Sequence, residues 1–194
     1  MDRPTTPKDA LRRYLDVAHD AVRWKLDGLR EHDLRRPLTP TGTNMLGIMK
    51  HLAWVELGYF GDVFGRPLDV GPPPDRGVWN SDMFATADES VDQIVELFRT
   101  AGRHTIEALT SLPLDTLGNV PWWGENGAVT LHLIAVHMVT EVNRHLGQLD
   151  ILRESLDGGA GHRADVDNLP PMSADEWARY RDLVEQTARD ATSG

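Results

Sequence analysis

The chain has 194 residues, 40% of them apolar and 7% aromatic, enough to bury the core of one domain. Its formal charge of −10 argues against non-specific binding to nucleic acid or to an anionic membrane surface. There is no cysteine, which excludes disulfides, thiolate metal ligands and a protein-borne thiol nucleophile.

The opening MDRPTTPKDA lacks the apolar run of a signal peptide. No stretch approaches the roughly 20 apolar residues of a membrane span, so the expected location is cytoplasmic. A first helix is expected from about Pro7 to Arg30, with Leu11, Leu15, Ala18, Val22, Leu26 and Leu29 on one face. Thr43 is positioned to cap a second helix over 43–64 that carries Leu46, Met49, Leu52, Val55, Tyr59 and Phe60. Gly65-Arg66-Pro67 stops it. A Pro/Gly/Asp connection through GPPPDRG follows, longer than a tight hairpin needs.

The pattern Thr86-x-x-Glu89 reads as a capping box opening a third helix, with Val91, Ile94, Val95, Phe98 and Ile106 inward and Pro113 closing it. LDTLGNVPWWGENGAV is a loop with room for a short hairpin. The fourth helix is expected over about Thr130 to Leu156, ended by Asp157-Gly158-Gly159. After another loop, Ser173-x-x-Glu176 starts a short amphipathic helix through Trp177, Tyr180, Leu183 and Val184. Four long amphipathic helices with no competing strand pattern give an all-α four-helix bundle with an additional C-terminal helix. It is expected to form a single domain over 1–194, with a core of about 7–157 and an appendage of 158–194.

The chemistry concentrates on helix four, in the run His137-x3-Glu141-x3-His145. Residues four apart lie one turn on, on nearly the same face. Ile134, Met138, Glu141, His145, Gln148 and Leu152 follow the 4-3 step of a buried seam, which places Glu141 and His145 where leucine is expected. An uncompensated buried carboxylate costs several kcal/mol, and a bound cation is one remedy. The ordinary alternative is hydrogen bonding of both side chains to Arg144, Gln148 or a neighbouring helix. His137 is displaced by one residue from the seam: a ligand, a general base or, by preference, a residue that backs the ligands or lines the pocket.

His51 lies mid-way along helix two, and Gly47 and Gly58 nearby leave space for close helix approach or for a ligand. An isolated helical histidine is ordinarily a hydrogen-bonded structural residue, and His19, His32, His104, His132 and His162 are read so. Glu56 points about 140° away from His51 around the helix, toward another partner. Asp150 and Arg153 are spaced to pair on the helix surface. Alternatively, Arg144 or Arg153 receives a carboxylate of substrate or cofactor. Trp122 and Trp123 stand in the loop before helix four as a lid on the core or a wall of the pocket.

The stretches TGTNMLGIMKHLAWVELGYF and HMVTEVNRHLGQLDILRESLDG resemble the second and fourth helices of the DinB/YfiT-like metalloenzyme superfamily. The likeness covers most of the chain, including the WARY segment, and is greatest to an actinobacterial branch that holds the mini-circle protein. The superfamily's usual triad is three histidines, with H-x3-H on helix four; here Glu141 takes the first of those two positions. The resulting His, Glu, His set is similar to that of the mycothiol-dependent maleylpyruvate isomerases. The resemblance implies His51, Glu141 and His145 as ligands of a divalent metal, zinc foremost, with nickel, iron or manganese as alternatives.

It also implies a transferase that adds a low-molecular-weight thiol, mycothiol, to an electrophilic small molecule in detoxification. On that reading His137 and Arg153 take catalytic roles, and Arg144, Arg153, Trp122 and Trp123 bind the thiol cofactor. A homodimer is compatible with the resemblance, which implies neither nucleic-acid nor membrane partners. The rival readings are a hydrolase using metal-bound water, with His137 or Glu56 as base, and a non-enzymatic bundle with a structural metal.

Overall fold

In the computed structural model, which describes residues 5–75 and 77–192, four long helices share one apolar core. Helix α1 (Pro7–Leu26) starts where the Thr6 side chain accepts from the Asp9 amide and Pro7 occupies the first turn, where its missing N–H costs nothing. It stops before Gly28, whose φ of +74° reverses the chain. The short α2 (Glu31–Arg35) lies just beyond Arg30, where the first helix was expected to end.

Helix α3 (Met45–Glu56) runs straight into a π-helical turn, Leu57–Gly61, and a 3₁₀ turn, Asp62–Phe64. Asn44, not Thr43, caps it: the Asn44 carboxamide oxygen accepts from the Gly47 amide at 2.7 Å. The described residues between 65 and 90 then form no regular structure apart from turns.

Helix α4 (Val91–Ser111) opens on a capping box formed by Ser90 and Gln93. The expected box at Thr86 and Glu89 forms only in part, because the Glu89 carboxylate accepts from the Thr86 amide and also from Lys50 Nζ of α3. The anticipated hairpin is present, with β1 (Leu117–Asn119) antiparallel to β2 (Ala128–Thr130) around the 3₁₀ segment Pro121–Asn126. Helix α5 (Leu131–Asp157) follows at once, capped by Thr130 and ended by Gly158 at φ +78°.

Around the bundle α1 packs on α5 and α3 on α4, while α1–α4 and α3–α5 contacts close the remaining sides. Leu15, Met49, Phe60, Phe98, Ile134 and Met138 are all but inaccessible to solvent at the centre. Helix α6 (Ala174–Thr192) carries the expected Ser173/Glu176 cap and is longer than anticipated, and none of its residues is buried. No helix among the described residues is long and apolar enough to cross a membrane.

Polar side chains also cross the core. Glu56 is fully buried; it accepts from His19 of α1 at 2.6 Å and from the Thr105 hydroxyl of α4 at 2.7 Å. Lys25, also buried, reaches Asp150 of α5 at 2.8 Å and the Gly161 carbonyl at 2.7 Å. That contact, not an Asp150–Arg153 pair, holds the Asp150 carboxylate.

Candidate metal centre

The long connection is fastened to α3 at three consecutive points. Asn44 Nδ2 donates to the Met83 carbonyl at 3.0 Å. At Gly47 a Cβ would lie 1.8 Å from that same carbonyl oxygen, so only glycine lets the two backbones meet. Lys50 Nζ donates to the Ser81 and Phe84 carbonyls at 3.1 and 3.0 Å. The segment so fixed delivers the Asp82 carboxylate to His51 Nδ1 at 2.6 Å. The space at Gly47 therefore admits a strap of backbone beside the histidine.

Across from it, α5 presents Glu141 and His145 one turn apart. The fully buried stripe of α5 runs through Ile134, Met138, Val142, Leu146 and Leu149. Glu141 stands at its edge, with a carboxylate 26% exposed toward a cavity, while His145 is 10% exposed. The expected burial of Glu141 is thus only partial, because the seam opens into the cavity at this turn.

His51 Nε2 lies 3.4 Å and His145 Nε2 3.2 Å from the same oxygen, Glu141 Oε1. The two imidazoles meet edge to face with centroids 4.9 Å apart. Suitable donor atoms of all three residues fall within 4.8 Å of one another. A tetrahedral centre with metal–nitrogen bonds of about 2.0–2.1 Å separates its ligand atoms by about 3.3 Å, so the set fits such an ion.

The hydrogen bonding gives the same answer. Both carboxylates beside His51 can only accept, and the shorter contact, 2.6 Å to Asp82 against 3.4 Å to Glu141, assigns its hydrogen to Nδ1. His145 Nδ1 faces Gln148 Oε1 at 2.8 Å and likewise carries the hydrogen. Both Nε2 lone pairs then point at a carboxylate oxygen that has no hydrogen to offer. Three acceptors converge with nothing between them, which a cation or a second proton on an imidazole resolves. Histidine ligands steered through Nδ1 by a carboxylate or amide are the usual outer support of a metal site. Burial pushes the Glu141 carboxyl up, but where the imidazoles carry that second proton, their hydrogen bonds and charge outweigh it and hold the group below the ordinary glutamate range.

His51 and Glu141 open into a cavity of about 910 Å³ between the α3 π turn, the connection and the hairpin loop. A π turn inside a helix is rare and often accompanies a functional site; here it turns Gly58 and Tyr59 to the cavity wall. Trp122 lies over Gly58, and its indole N–H donates to the Tyr59 hydroxyl at 3.3 Å. His137 lines the same cavity one turn before Glu141, edge-on to Tyr59 at 4.9 Å and to Trp123 at 5.2 Å. Trp123 packs behind this wall.

The structure does not bring the expected arginines here. Arg153 Nη1 donates to the carbonyls of Lys25 and Asp27 at 3.0 and 2.8 Å, closing the C-terminus of α1, and its Nε pairs with Asp157. A guanidinium so engaged has no reach to the cavity, which corrects the expectation of catalytic and cofactor roles for Arg153. Arg144 is exposed and is absent from the cavity wall, so the same correction holds for it. Glu56 faces the core, away from the ligands, and is unavailable as a hydrolytic base.

Sequence reasoning missed Asp82. It lies 31 positions beyond His51 in a segment without periodicity, and the clues were indirect: Gly47 within a helix and a connection too long for its span.

A family model described as mycothiol-S-transferase matches residues 10–158. Among solved structures, a conserved protein from Enterococcus faecalis superposes with a TM-score of 0.58 at 16% identity, covering 80% of this chain and 100% of the other. At that identity the likeness speaks for the fold alone. No curated protein matches the chain.

Proposed function

The chain belongs to the mycothiol-S-transferase family, and from that premise we propose a divalent-metal enzyme, zinc foremost, that transfers mycothiol to an electrophilic small molecule. The observation that carries this reading is the convergence of His51 Nε2, His145 Nε2 and Glu141 Oε1 at the floor of an open cavity. Three protein ligands leave a coordination position for a substrate atom, as catalytic sites require. A divalent cation held there supplies Lewis acidity that makes a thiol acidic near neutral pH. The protein has no thiol of its own, so the sulfur comes from a small molecule.

The side chains divide the remaining work. Asp82 and Gln148 fix the two imidazoles through Nδ1, so the ligand set is already oriented before substrate arrives. On this reading His137, which lines the cavity one turn from Glu141, accepts the thiol proton. Trp122 and Tyr59 bound the space in which thiol and electrophile meet, and Trp123 holds the Tyr59 and His137 rings in place.

The test combines metal analysis with thiol dependence. The purified protein should hold one divalent ion per chain, His145→Ala should hold none, and consumption of an electrophile should require added mycothiol. Consumption that proceeds equally without thiol would replace this reading with a hydrolase. Full metal retention in His145→Ala would overturn the ligand set.

A further inference from the structure

The cavity wall also bears on which electrophile the site takes, an inference that rests on the transferase reading above. Trp54, Tyr59, Trp79 and Trp122 contribute rings to it, and Leu68 and Val78 add aliphatic surface. Several of these are unusually open to solvent: Trp79 is 94% exposed, Trp122 53%, Val78 47% and Leu68 41%. Burial in the core does not explain a tryptophan that exposed. A cluster of exposed apolar side chains around one concavity marks a ligand surface.

Charge gives the second half of the argument. The ionisable residues of the described wall other than its two histidines and Tyr59 are Asp62, Asp82 and Glu141, all carboxylates; no lysine or arginine is among them. A divalent ion at the site would be balanced by Glu141 and by Asp82 acting through His51. No cation then remains among the described wall residues to neutralise an added anion, and Asp62 repels one. The Tyr59 hydroxyl accepts from Trp122, which leaves its own hydrogen for a neutral acceptor oxygen.

We infer that the electrophile is an uncharged aromatic or bulky apolar molecule, held between the Trp79 and Trp122 sides of the cavity, and that carboxylated electrophiles are disfavoured. Asp62 and Trp79 are then specificity determinants.

The test uses probes that cannot react, with no thiol present, so its outcome is independent of whether transfer occurs. Calorimetric titration of the zinc-loaded full chain compares 2-(methylsulfonyl)naphthalene with naphthalene-2-sulfonate, matched in shape and differing by one negative charge. Myo-inositol serves as a polyol control. The neutral sulfone should bind about tenfold more tightly than the sulfonate. Asp62→Lys should raise sulfonate affinity about tenfold and leave the sulfone unchanged, while Trp79→Ala should weaken the sulfone several-fold. Both residues are exposed, so neither variant threatens the fold. Sulfonate binding as tight as the sulfone would overturn the inference. So would inositol binding without sulfone binding, which would give the rings to a polyol, or a Trp79→Ala variant indistinguishable from the parent.

Discussion

The hydrogen bond between Asp82 and His51 Nδ1 has two consequences for the imidazole. It selects the tautomer that leaves Nε2 free, and it raises the electron density of the ring through a charged acceptor 2.6 Å away. Asp82→Asn keeps the size of the side chain and removes the charge. It should lower metal affinity about 10–100-fold, measured by competition with a chromogenic chelator, with the helical circular dichroism unchanged. Affinity equal to the parent would reduce Asp82 to a fastening of the loop. At this scale the sequence is informative where candidate ligands share a helix: Glu141 and His145 announce themselves by spacing and register. His51 needed the family pattern, since one histidine on a helix carries little by itself. Asp82 was illegible because nothing local to residue 82 records which part of α3 its backbone will touch.

At the level of elements, the site depends on how closely α3 and the connection approach. The Met83 carbonyl sits where a side chain at residue 47 would be. Gly47→Ala must therefore push the strap outward, and Asp82 with it. An overpacking cost of about 1–3 kcal/mol is expected, together with a loss of metal affinity resembling that of Asp82→Asn. Gly147→Ala is the matched control: it also lies within a helix, but nothing stands within 4 Å of its added methyl. That change should stabilise the protein by about 1 kcal/mol and leave metal binding alone. Chemical denaturation and metal titration of the two variants check both statements. The same close approach limited what could be read from sequence. Helices α1, α3, α4 and α5 are visible as 3.6-residue periodicity, and Ser173 as a cap. The start of α4 was misplaced by a few residues because Thr86 and Glu89 have the spacing of a capping box. Tertiary structure instead recruits Glu89 to Lys50 and leaves the cap to Ser90 and Gln93. The π turn after Glu56 has no periodic signature at all.

Across the whole molecule, charged groups that tie helices together set how stability varies with pH. His19, on α1, meets Glu56, on α3, which also accepts from Thr105 of α4, so one buried cluster joins three helices. Burial alone pushes the His19 pKa down, but the charge and hydrogen bond of Glu56 outweigh it, and the folded value lies above the ordinary one. A group whose pKa is raised by folding contributes stability that is fully present below its unfolded value, about 6.5. That contribution disappears as pH rises through the folded value. Acidic groups act in the opposite sense. Burial pushes Glu89 up, but Lys50 and the Thr86 amide hold it below its ordinary value. Its contribution is present above about 4.5 and lost as pH falls through the lowered folded value. The midpoint of thermal unfolding, followed in chelator so that metal binding does not contribute, should therefore decline on both sides of a mildly acidic plateau. His19→Gln should flatten the alkaline limb and leave the acid limb, since glutamine still donates to Glu56 but does not titrate. An alkaline limb as steep in His19→Gln as in the parent would mean that some group other than the one joining α1, α3 and α4 controls the stability of the bundle.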